Sequence, residues 1–134
     1  MSALTITAAS VAQGSNANTS TGIAAVAITA GQVLYLNSSN QLALADADLS
    51  SAAAAVVAVA LHGAASGQPI TYQVGGDITI GATVTAGAIY VLGATAGAIN
   101  PASDLTTNWR TSIIGVAISA SVIRLKIFNS DTAN

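Results

Sequence analysis

The sequence predicts an all-β domain: a small β-barrel or β-sandwich made of two similar β-units, with an extended N-terminal arm. Three observations lead there. Apolar runs are short, rich in Val, Ile and Ala, and interrupted every few residues by Gly, Asn and Ser, which is how strands and turns alternate in sandwiches and barrels. Residues 28–36, ITAGQVLYL, recur 56 positions later as residues 84–92, VTAGAIYVL. Hydrophobic residues make up 52% of the chain but aromatics only 4%, and small and β-branched side chains suit thin, closely packed sheets.

The elements follow in order. Residues 4–7 alternate and read as a strand. Residues 13–22 are small and polar, with no apolar anchor, and read as a loop or flexible arm. Residues 1–22 thus form the arm, and residues 23–134 a single β-domain with pseudo-repeats over about 23–80 and 81–128. In the first unit, 23–28 is a strand, Thr29-Ala30-Gly31-Gln32 a turn and 33–36 a strand. Asn37-Ser38-Ser39-Asn40 is a strong turn signal, making a hairpin with 41–44. A short helical turn is expected near 49–53, then a strand from 55 to 61 and a turn over 63–67. Residues 69–74 form a strand, Gly75-Gly76 breaks it, and 77–80 closes the unit.

The second unit repeats this order. Residues 85–88 turn, 89–91 are a strand and 93–97 turn again. The short strand 98–99 is broken by Asn100-Pro101. Residues 104–107 parallel 48–51, residues 115–118 parallel 58–61, and 122–128 take the place of 69–74. A pseudo-twofold between the units would be the simplest construction.

At 134 residues the chain has single-domain size. Only 6% of residues are charged, against about 25% in a typical soluble domain. The acids are Asp46, Asp48, Asp77, Asp104 and Asp131; the bases are Arg110, Arg124 and Lys126. Nucleic acid is excluded as a partner, because phosphate binding needs clustered Lys and Arg. A surface so poor in charge is prone to associate, so coverage by other subunits or a larger assembly is expected. The chain has no cysteine and so no disulfide framework or thiolate chemistry. Its start lacks the basic stretch of a secretory signal, and its longest apolar run, 52–61, is about half a membrane span. Synthesis in a cytoplasm and no membrane partner are the expectation.

No constellation of catalytic residues stands out, and the protein reads as a non-enzyme with no cofactor and no metal. His62, the only histidine, sits at a predicted strand end with no nucleophile elbow in the chain, and reads as structural. Asp46 and Asp48 could share a cation, but Ca²⁺ needs six to eight oxygens. A polar turn, with Asp48 or Ser50 capping a short helix, explains them as well. Gly75-Gly76 lacks the residues that follow in a phosphate loop and reads as a turn. Asn108-Trp109-Arg110 holds the only Trp. Trp109 and Arg110 form either a contact hot spot or a plug at a barrel end. Arg124 and Lys126 lie at period 2 on one face of the last strand, with Leu125 and Ile127 on the other. That basic face is either solvated or paired with Asp residues of a neighbouring subunit. Leu4 and Ile6, on the arm, are the remaining candidates for contact with a partner.

Residues 25–47, AVAITAGQVLYLNSSNQLALADA, followed by residues 56–78, VVAVALHGAASGQPITYQVGGDI, resemble the capsid decoration, or cement, proteins of tailed bacteriophages. That pattern is an apolar strand, Thr-Ala-Gly, an apolar strand, a turn, a short strand, a polar stretch, Gly-Val-Ala, a small-residue turn and an apolar strand. Here Ala58-Val59-Ala60 and Gly115-Val116-Ala117 stand in the Gly-Val-Ala place. The resemblance implies a non-enzymatic virion structural protein. It would bind the exterior of an assembled capsid, contact the major capsid protein and form a homo-oligomer, with a trimer favoured. In this reading the arm orders against the capsid or a neighbouring subunit. The competing function is a receptor- or glycan-binding knob of a phage head or tail fibre.

Overall fold

The computed structural model describes residue 4 and residues 6–46, 56–93, 97–102 and 110–133. The chain is all-β, with a curled antiparallel sheet forming a half-barrel and no α-helix among the described residues. The strands are β1 (Val11–Gln13), β2 (Asn18–Ile23), β3 (Val33–Leu36), β4 (Leu42–Leu44) and β5 (Val56–Ala60). Then come β6 (Pro69–Ile80), β7 (Ile89–Leu92), β8 (Ile99–Pro101), β9 (Arg110–Ala117) and β10 (Val122–Ala133). Their order across the sheet is β4-β3-β5-β6-β10-β9-β7-β8, with β1 and β2 also paired to β6.

The repeated Thr-Ala-Gly segment builds the same turn twice. Gly31 and Gly87 have φ of 87° and 85°, a left-handed conformation that glycine takes without strain at the third place of a turn. In each copy the fourth residue donates its N–H to the Thr carbonyl: Gln32 to Thr29 and Ala88 to Thr85. The glycine N–H then reaches the end of a later strand, Gly31 to Ala60 at 2.8 Å and Gly87 to Ala117 at 2.7 Å. A register shift also recurs, between Leu34 and Tyr35 on β3 and between Tyr90 and Val91 on β7.

The correspondence extends beyond these turns. Ile28 N–H bonds to Ala64 and Val84 N–H to Ala120; Ala24 N–H bonds to Gln68 and Ile80 N–H to Ser121. The second part of β6 therefore plays for the second half the role that β2 plays for the first. Residues 69–73 of β6 pair with β2, and residues 76–79 pair with β10 in the matching register. So Gly75-Gly76 does not break the strand. Gly76, with φ of 83°, lets β6 turn from one half into the other, and a Cβ there would run into the Asn16 carbonyl. β10 pairs with β6 only through Val122–Leu125. The halves are joined in tandem through one shared strand.

Each half has its own core. Ala24, Ile28, Leu34, Leu42, Ala60 and Ile70 fill the first. The corresponding Ile80, Val84, Tyr90, Ile99, Ala117 and Ile123 belong to the second. The back of the first half is also buried: Val33, Val56 and Val59 are 0–3% exposed and join the second half's cluster. At that seam Val33 N–H bonds to Gly97 and Gly97 N–H to Ala45.

The N-terminal region differs from its reading as strand then loop. Leu4, Ile6 and Thr7 are outside any strand, yet Leu4 N–H bonds to Ile99 and Thr7 N–H to Gly81, both at 2.8 Å. In the first half the equivalent gap closes directly, Ala25 N–H to Leu42 at 2.7 Å. The N-terminal segment is thus the piece that completes the second half. Residues 18–22, expected as loop, belong to strand β2. Its side chains are mostly exposed, so it holds by backbone pairing to β6 and carries no apolar alternation. Of residues 23–28, expected as a strand, Ile23 ends β2 and the rest make only isolated bridges, at Ala24 and Ile28. The helical turn expected near 49–53, and residues 48–51 and 104–107, lie outside the described residues.

Candidate interaction surface

The outer face of the second half is the surface that remains after both cores are built. Cross-strand partners share a face, so a row runs from Ile89 through Val116 and Arg124 to Asp77 across β7, β9, β10 and β6. Phe128 stands opposite Ile113 farther along β10. Ile118 closes the β9–β10 hairpin, its N–H bonded to Val122. Ile89 and Ile118 are each 44% exposed and Phe128 63%. Lys126, also exposed, lies on the same side of β10 as Arg124 and Phe128.

Arg124 grips Asp77 with two bonds, Nε to Oδ1 at 2.8 Å and Nη2 to Oδ2 at 3.3 Å. The Asp77 N–H donates to Asn16 Oδ1 at 2.9 Å. The hydrogen bonds from Arg124 hold the Asp77 carboxyl below its ordinary pKa, and Asp77 in turn raises that of Arg124. One of the two bases on the predicted basic face is therefore paired within its own chain rather than waiting for a neighbour's Asp.

The other candidates are distributed. Leu4 and Ile6 are half-buried and pack against the second core. Leu125 is buried and Ile127 half-buried on the core side of β10. Arg110 begins β9, and Trp109 lies outside the described residues, as does Asp48. His62 is held between backbone groups: Nε2 accepts the Thr71 N–H at 3.0 Å, and Nδ1 sits 2.8 Å from the Gly63 carbonyl oxygen. That geometry makes Nδ1 the protonated nitrogen. Ser119, at the corresponding place in the second half, accepts N–H bonds from Ser121 and Val122. Both side chains thus act as caps on the hairpin that follows.

A cleft of about 190 Å³ opens beside the N-terminal segment, lined by Leu4, Ile6, Thr29, Ala30, Gln32 and Gly97 among others. Among the described residues its walls hold no titratable group. Among the described residues no three His, Cys, Asp or Glu side chains gather as a metal site. The sequence reading missed Ile89, Ile118 and Phe128. Phe128 was within reach, since period 2 continues Arg124 and Lys126 to it. Ile89 was not, because its counterpart Val33 is fully buried. No protein-family model matches the chain, and no curated protein matches it.

Proposed function

We propose that this protein is a non-enzymatic coat component that decorates the exterior of a phage capsid and stabilises the shell. The observation that carries the reading is the exterior itself. Large apolar side chains, Phe128, Leu36, Ile89 and Ile118 among them, are 44–63% exposed in a chain with only 6% charged residues. Such a surface is suited to coverage by other protein. The resemblance of residues 25–47 and 56–78 to decoration proteins supplies the partner, the major capsid protein, and the expectation of a homo-oligomer. Binding only to the assembled, expanded lattice stabilises that lattice by mass action, and several chains acting together add avidity.

The test is to mix purified protein with mature and immature capsids of a tailed phage that carries this gene, and to image them by electron microscopy. Regular added density on mature shells alone, with greater resistance of those shells to heat, is the expected result. Bare shells of both kinds, together with binding on a glycan array, would favour the fibre-knob function instead.

A further inference from the structure

The two halves are built alike but buried unlike, and the difference falls on one face. In the first half the back of the sheet presents Val33, Val56 and Val59, which are 0–3% exposed because the second half covers them. The corresponding residues of the second half are Ile89, Ile113 and Val116. Ile89 is 44% exposed, and Ile113 and Val116 are only half-buried. Gln73, which stands opposite Val59, is 0% exposed, whereas Arg124, which stands opposite Val116, is exposed. The side chains on this second back are no more polar than those on the first: Ile replaces Val at two of the three places. Phe128 and Ile118 extend the patch along β10 and the hairpin.

We infer that the back of the second half, centred on Ile89, Val116 and Phe128, is the surface by which copies of this chain join to one another. The occupant is argued from the fold: the equivalent apolar back, on the same strand framework, is already covered by sheet from this chain. Aromatic residues and Arg are also enriched at self-association surfaces, and on this face Arg124 and Lys126 stand between Ile118 and Phe128. Here Arg124 lies beside the patch with its charge met by Asp77, so desolvating the patch leaves one free cation near it among the described residues, that of Lys126. The inference is independent of what the assembled protein binds.

The experiment uses the purified full chain, with no capsid present. Its mass is measured by light scattering and sedimentation across a concentration series. Wild type should run as a multiple of the 13.0 kDa chain. Phe128→Ser and Ile89→Ser should each weaken association by about tenfold or more, and the double variant should run as a monomer with an unchanged far-ultraviolet spectrum. Leu36→Ser, which removes an equally exposed apolar side chain in the first half, should leave the assembly intact. A monomeric wild type, an associated double variant, or a Leu36→Ser monomer would each overturn the assignment. Should the double variant fail to fold, hydrogen exchange on the wild type decides. Protection at residues 113–116 and 122–128 should rise with concentration, and protection unchanged there would overturn it.

Discussion

Asp77 on β6 and Arg124 on β10 stand directly opposite each other and form a two-pronged ion pair, whereas the matching positions of the first half, on β2 and β6, hold Thr21 opposite Thr71. The same register thus carries charge in one half and hydroxyls in the other. The repeat dictates the backbone and leaves the outer face free to diverge.

That pair makes stability depend on pH in one direction. Asp77 titrates below its ordinary value of 3.8 because Arg124 hydrogen-bonds its charged form. The folded state therefore takes up its proton later than the unfolded chain as pH falls. The contribution is whole above the unfolded pKa and is lost as pH falls through the folded one. Asp77→Asn should melt slightly below wild type at neutral pH and together with it at strongly acidic pH. Added salt should narrow the neutral difference, since the pair is exposed.

Asn129 ties the last strand back to the first half. Its Oδ1 accepts the Val56 N–H and its Nδ2 donates to the Val56 carbonyl, both at 3.0 Å. Asn129→Ala leaves both backbone groups without these partners and should cost about 1–3 kcal/mol. Asn129→Asp keeps the acceptor but loses the donor, and should fall between. Urea unfolding of the three proteins orders them.

The glycines of the fold differ in what surrounds them, and substitution should separate them. Gly87 has a positive φ but nothing near its absent Cβ, so Gly87→Ala carries only the left-handed cost of about 1–2 kcal/mol. Gly76 combines a positive φ with the Asn16 backbone against it. Gly76→Ala should cost more, about 3 kcal/mol, with the segment around Asn16 displaced. Thermal melts give the order, and hydrogen exchange at residues 14–18 reports the displacement.

The N-terminal segment belongs to the core, which changes what its removal tests. Leu4 and Ile6 pack on the second core, and Ile6 lies where a Cβ on Gly31 would stand. Leu4→Ala with Ile6→Ala should cost about 2–4 kcal/mol in all, each being half-buried. Deleting residues 2–22 removes β1 and most of β2 as well, and should unfold the second half rather than produce an intact domain lacking an arm. A loss of capsid binding in that deletion would report on folding, so circular dichroism must accompany it.

Much of this fold was legible because local chemistry and tertiary structure agree. The Thr-Ala-Gly turns, the Asn37–Asn40 hairpin with Asn40 at φ of 60°, and strands β3, β5 and β7 all sit where turn residues and β-branched runs place them. The misreadings share a cause. Strand β2 is polar and exposed, so its place depends on β6, which lies some 50 positions along the chain. Gly75-Gly76 reads as a break because local rules cannot see that a strand changes partners there. The surface was harder still, since Val33 and Ile89 are equivalent in sequence and differ only in what packs on top of them.

Strand β6 belongs to both halves at once, and this bears on how such a protein can arise and be divided. After a duplication, the closing strand of one copy and the opening strand of the next have become a single uninterrupted stretch of backbone. Neither copy can then be cut out without severing that strand. A gene fragment ending at Gly75 encodes a complete first sheet, but it carries away β1 and the N-terminal segment, which bond to residues 78–81 and Ile99 of the second. The duplicated chain is therefore one inseparable folding unit.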